Sequence, residues 1–128
     1  MERMPEKVMD TSGQTPTMRV ATAPIDRDHL VRMSLGNRLL ERELLQLFDR
    51  QAVLLVTRIR TAPPGVVSPL AQTLKKSAQI VGAWQVARAA EAVELADGVA
   101  AEAEAAQNQL AVAVEAARSV VARLLIAR

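Results

Sequence analysis

Two lysines framed by two glutamines form the most distinctive polar group in this sequence. The four residues are Gln72, Lys75, Lys76 and Gln79. At about 100° per residue, an α-helix places them on one side, within an arc of roughly 100°. The ammonium groups of the two lysines can complement an acidic surface. A glutamine amide can only donate and accept hydrogen bonds, because its nitrogen lone pair is delocalised. The stripe predicts a binding surface without a nucleophile, although periodicity alone favours an ordinary solvated face.

His29 is the single histidine of the chain, and a neutral imidazole is a competent nucleophile. It follows Asp28 near the start of the first helical segment and has no positioned partner for proton transfer. We therefore interpret it as a partly exposed helix residue near carboxylates. One histidine excludes a multi-histidine metal site, and the absence of cysteine excludes disulfides, thiolate metal sites and cysteine nucleophiles. We expect no metal, no cofactor and no enzymatic activity.

Prolines and glycines divide the chain into segments. Residues 1–24 contain three prolines, four threonines, one serine and one glycine and show no periodicity, so we expect a flexible tail there and one folded domain over 25–128. Asp26 can cap the first helix. Ser68 can cap the third helix, with Pro69 at its first position, and Gly82 can end it. The helices are expected at about 26–35, 37–60, 69–81, 84–95 and 103–127.

The composition favours an all-α fold. Half of the residues are apolar and only 2% are aromatic, while the second half is dominated by strong helix formers. Helices of this length joined by short links suggest an antiparallel four-helix bundle with an additional short N-terminal helix. Trp84 is interpreted as a core anchor at the turn before the fourth helix.

Each long helix carries an apolar stripe. On the helix at 37–60 the expected buried stripe is Leu40, Leu44, Leu47, Gln51, Leu54 and Arg58, widened by Phe48 and Leu55. On the third helix it is Leu70, Leu74, Ser77 and Val81. On the last helix it is Leu110, Val114, Ala117, Val121 and Leu124.

Charge and hydropathy restrict the partners and the location. Sixteen basic and fourteen acidic residues leave a net charge of +2, which is too balanced for a nucleic-acid partner. No run of apolar residues approaches the length of a membrane span, and the amino terminus has no apolar region typical of a secretory signal. We therefore expect a cytoplasmic protein with no membrane partner.

The segment Gln72-Thr73-Leu74-Lys75-Lys76-Ser77-Ala78, followed by Gly82-Ala83, resembles the signature of histidine-containing phosphotransfer (Hpt) domains. That signature reads His-x-Leu-Lys-Gly-Ser-Ala, with Gly-Ala a few residues later, on a helix of a four-helix bundle. The resemblance extends over about residues 25–128. It implies that Lys75 corresponds to the family's phosphoryl-binding lysine, and that the partner is a response-regulator receiver domain, a histidine kinase, or both.

The sequence departs from this signature at two positions. Gln72 stands where the family has its phosphoacceptor histidine, and Lys76 stands where the family has a glycine that leaves room for the receiver. A glutamine amide cannot accept a phosphoryl group, so the resemblance implies a two-component signalling protein that docks a partner without carrying phosphate. Alternatives are an active phosphotransfer protein that uses another residue such as His29, a structural or homodimerising bundle, and an engineered replacement of the histidine by Gln72. The oligomeric state stays open.

Overall fold

The computed structural model describes residues 23–127, which form helices and turns with no strand. The helices are α1 (Arg27–Met33), α2 (Arg38–Thr61), α3 (Val67–Val81), α4 (Trp84–Leu95) and α5 (Ala100–Ile126). The all-α prediction is confirmed. The tail expected over 1–24 lies outside the described residues except for its last two positions.

Side-chain caps begin the first two helices, the first at Asp26 as expected and the second at Asn37. The carboxylate of Asp26 accepts the backbone N–H of His29 at 3.1 Å, and the amide oxygen of Asn37 accepts that of Leu40 at 2.9 Å. Each bond satisfies an N–H group that has no partner inside the helix. The last helix starts at Ala100 and not at the expected 103, because the alanines after Gly98 favour helix strongly.

The contacts among the four long helices form a closed ring, in which each helix contacts two others. Helix α2 packs against α3 and α5, and α4 packs against the same two helices. The short helix α1 contacts α3 and α2. The buried face of α5 consists of Leu110, Val114, Ala117 and Val121 as expected, with Leu124 partly buried against the core.

The buried face of α2 differs from the predicted one. The structure buries Leu45, Phe48, Ala52, Leu55 and Ile59. Leu47 and Leu54, which were assigned to the core, are 45% and 48% exposed. Apolar residues occupy most of the circumference of this helix, so several stripes have the correct period, and packing against α3 and α5 selects the one that contains the small Ala52.

Candidate functional site

The polar stripe lies on the outer side of α3. The buried positions of this helix are Val67, Ala71, Leu74, Ala78 and Val81. The stripe consists of Gln72, Lys76 and Gln79, which are exposed, and Lys75, which is half-buried. The structure therefore brings together all four residues that the sequence singled out. Leu70 and Ser77, which were assigned to the core face, are only half-buried, because Ala71 and Ala78 take the inner positions.

A carboxylate from a distant link anchors the start of α3. Asp97 accepts the backbone N–H of Ser68 at 3.0 Å and that of Gly65 at 3.1 Å. The helix begins at Val67, and its cap residue Val66 makes no side-chain hydrogen bond. The prediction that Ser68 caps this helix was therefore wrong, and Asp97, to which no role was assigned, supplies negative charge where the helix dipole favours it.

Gly82 ends α3 in a conformation that few other residues could adopt. Its φ of 75° lies in the left-handed region, and a Cβ atom placed there would lie 2.8 Å from both Cβ and the carbonyl oxygen of Asp26. The close approach allows the N–H of Asp26 to donate to the carbonyl of Gly82 at 2.9 Å. Gly82 thus fixes both the end of α3 and the position of α1 beside it.

The side chain of Gln72, which the sequence resemblance aligns with a phosphoacceptor, is tied to the neighbouring helix. The side-chain amide of Gln72 donates to the carboxylate of Glu94 on α4, with 2.6 Å between Nε2 and Oε2. An amide nitrogen in this place is a hydrogen-bond donor with no free lone pair. Gln72 can therefore contribute hydrogen bonds to positioning and recognition, but it offers no nitrogen that could accept a transferred group.

His29 and Trp84 meet where α1 joins the end of α3. The Nε2 atom of His29 lies 2.8 Å from the carbonyl oxygen of Gln79, so the imidazole that carries its proton on Nε2 donates to it. The two rings lie 4.7 Å apart between centroids. The indole N–H of Trp84 donates to Asp26 at 3.0 Å. Trp84 is only half-buried and acts through this hydrogen bond. Its role therefore differs from the core anchor that the sequence suggested.

Asp26 accepts two hydrogen bonds at this junction. Burial on its own would raise the pKa of the Asp26 carboxyl. The hydrogen bonds from the Trp84 indole and the His29 backbone, together with the charges of His29 and Arg32, outweigh burial and lower the pKa below its ordinary value. The carboxylate therefore stays ionised and holds α1 against the start of α4.

A groove of about 240 Å³ runs along one edge of the stripe, between α2 and α3. Its walls include Leu44, Leu47 and Gln51 from α2 and Lys76, Ser77 and Ile80 from α3. The exposed sides of Leu47 and Ile80 place apolar surface next to the Lys76 ammonium group. A partner on this face could combine acidic groups over the lysines with apolar contacts in the groove.

Within the described part of the chain, no group of three or more acidic or histidine side chains is arranged to hold a metal ion. No helix of that part is both long and apolar enough to cross a membrane. No protein-family model, no curated protein and no solved structure matches the chain. The resemblance to Hpt domains therefore depends on the sequence motif alone.

Proposed function

We propose that this protein is an Hpt-like module that docks a response-regulator receiver domain, or the histidine kinase that acts on one, without carrying phosphate itself. The observation that carries the proposal is the arrangement of α3. The apolar positions of the signature, Leu74 and Ala78, are buried, while Gln72 and Lys76 are exposed and Lys75 is half-buried. A phosphotransfer helix needs this division between a packed side and an accessible side.

The order of helix contacts supports an antiparallel four-helix bundle. Each of α2 to α5 packs on the two helices beside it in a closed order, and the backbones of opposite helices are farther apart than those of neighbours. The links between successive long helices are short, which favours antiparallel neighbours. Helix α1 then lies across the end at which α3 stops, as its bonds to Gly82 and Gln79 require.

Docking without transfer follows from the chemistry at Gln72. The receiver's phosphoacceptor pocket is rich in aspartate, and the ammonium groups of Lys75 and Lys76 complement such a pocket. The amide of Gln72 is held by Glu94 and provides no nucleophile. The protein would therefore compete with active phosphotransfer proteins, or hold a response regulator in one state.

The alternative of an active phosphotransfer protein that uses His29 has less support. The Nε2 atom of His29 bonds a backbone carbonyl at the end of α3, and its ring lies beside Trp84. The sequence provides no lysine beside it on α1. Phosphoprotein analysis under conditions that preserve phosphohistidine separates the two functions, because only the alternative predicts label on this chain.

Charge reversal on the stripe tests the docking face. We expect Lys75→Glu with Lys76→Glu to leave the helical circular dichroism unchanged and to weaken receiver binding by about 2–5 kcal/mol if the lysines enter a desolvated acidic pocket. The matched control is Arg50→Glu with Arg123→Glu, which makes the same change in net charge at exposed sites on α2 and α5. Equal losses for both pairs, or no loss for either, would place the interface elsewhere.

A further inference from the structure

Leu35 occupies a position that does not suit a leucine. It follows the C-terminal cap of α1 and has a φ of 56°, in the left-handed region where glycine or asparagine usually ends a helix. Its side chain is 88% exposed. The residue therefore strains the backbone and gains little burial against the described residues 23–127. An outlier of this kind indicates a function outside the fold.

Other apolar side chains are exposed at the same corner. Leu39, in the first turn of α2, is 68% exposed, and Val31 and Met33 of α1 are each nearly half exposed. We call Val31, Met33, Leu35 and Leu39 the apolar corner. These residues lie within nine positions of the chain, in the second half of α1, the turn after it and the first turn of α2.

Arginines surround the apolar corner. Arg32, Arg38 and Arg42 are exposed, and the last two lie one turn apart on α2, on the same side as Leu39. Arg38 and Arg42 line a hollow of about 390 Å³ with Leu125 and Ala127. The Arg42 guanidinium donates from Nη1 to the Leu125 carbonyl at 2.7 Å, which directs its charge over this hollow. The acidic groups nearby are Asp28, the half-buried Glu41 and Glu43.

We infer that the apolar corner docks onto an anionic phospholipid surface. Exposed leucines on a turn between helices can enter the interfacial region of a bilayer, and flanking arginines can bind headgroup phosphates through paired N–H groups. The hollow between Arg38 and Arg42 offers a site for one such phosphate. The expectation that this protein has no membrane partner came from the lack of a spanning helix, and interfacial docking requires none.

The opposite end of the helices provides a matched control. Leu95, at the end of α4, is 75% exposed, but its neighbours in the chain include Glu94 and Asp97 instead of arginines. We expect the full chain to sediment with vesicles of phosphatidylcholine and phosphatidylserine and not with phosphatidylcholine alone. Leu35→Ser with Leu39→Ser should weaken this binding by about tenfold or more, and Leu95→Ser should leave it unchanged.

Leu35→Gly separates docking from folding. Glycine removes the strain at φ 56°, so this variant should melt at a higher temperature than the wild type and still bind vesicles more weakly. Added salt should weaken wild-type binding, because the attraction to anionic lipid is screened. The inference would be overturned if the chain bound neutral vesicles equally well or bound no vesicles at all. It would also be overturned if Leu95→Ser caused an equal loss, or if Arg38 and Arg42 responded to inorganic phosphate without any vesicle binding.

Discussion

Restoring a nucleophile at position 72 should convert this protein into a phosphoryl acceptor. Gln72→His places an imidazole on the outer side of α3, next to the Glu94 carboxylate that now accepts the glutamine amide at 2.6 Å. If Glu94 accepts the N–H of the new ring, the other ring nitrogen keeps its lone pair and faces the receiver. Lys76→Gly removes the long side chain one turn later, and Lys75, which the resemblance aligns with the family's phosphoryl-binding lysine, remains in place.

The structural cost of this double change is small. Glycine at the exposed position 76 should destabilise α3 by about 1 kcal/mol. Loss of the Gln72–Glu94 hydrogen bond at the surface adds at most about 1 kcal/mol, and the new histidine can replace that bond. The melting temperature should therefore fall by about 4–8 °C for each kcal/mol. The helical signal and Trp84 fluorescence should show that the variant is folded.

Transfer is measured with a phosphorylated receiver domain, followed by phosphohistidine detection. The phosphorus–oxygen bond of the aspartyl phosphate breaks, a nitrogen–phosphorus bond forms, and the aspartate leaves as carboxylate. The folded double variant should gain label that the wild type lacks. Gln79→His is the matched control, because it adds an exposed histidine to the same stripe two turns from Gln72.

Glu94→Gln in the double variant tests the orientation of the new ring. We expect labelling to slow by at least about tenfold, because the imidazole loses the carboxylate that sets its tautomer. A folded double variant that accepts no phosphoryl group from any receiver of the host would refute the reasoning. Equal labelling of the Gln79→His control would mean that the position of the histidine is unimportant, which also contradicts it.

Three further predictions concern the ends of α3 and the junction with α1. Gly82→Ala should destabilise the fold by about 2–4 kcal/mol in thermal denaturation, because the new Cβ would lie 2.8 Å from Asp26. The control is Gly36, which has a φ of 72° and open space around it. Gly36→Ala should cost only about 1 kcal/mol. Because the Asp26 pKa is lowered in the folded state, its stabilising contribution is fully present above the ordinary value of 3.8 and is lost as the pH falls below 3.8 through the lower pKa of the folded state. Melting curves between about pH 6 and about pH 3 should show this loss, and Asp26→Asn should remove it. Asp97→Ala should cost about 1 kcal/mol, because two backbone N–H groups lose their acceptor; an unchanged melting temperature would contradict this role.

The sequence predicted the helices more reliably than their faces. The turn residues around Pro63 and Gly82 act locally, so the ends of α2 and α3 follow from the chain itself. On α2, apolar residues on several sides give more than one stripe with helical period, and only the neighbouring helices decide that Ala52 and Ile59 are buried. On α3, the small residues Ala71 and Ala78 allow close packing and therefore take the inner side.

The polar contacts of the candidate site could not be predicted from the sequence. The placement of the four stripe residues on one side of α3 depends only on helical period, which the sequence contains. The acceptor that holds Gln72 comes from Glu94, 22 positions away, and the carboxylate at the start of α3 comes from Asp97, 29 positions from Ser68. Such pairs depend on which helices are neighbours, and a single sequence contains no periodic signal for them.

The most direct test of the docking proposal is a titration of the isotopically labelled chain with purified receiver domains of the host, followed residue by residue by NMR. We predict that one receiver binds and that the perturbed signals centre on Gln72, Lys75, Lys76 and Gln79, with the adjoining groove at Leu47 and Ile80. No binding to any receiver, or perturbed signals confined to the exposed faces of α4 and α5, would contradict the proposal.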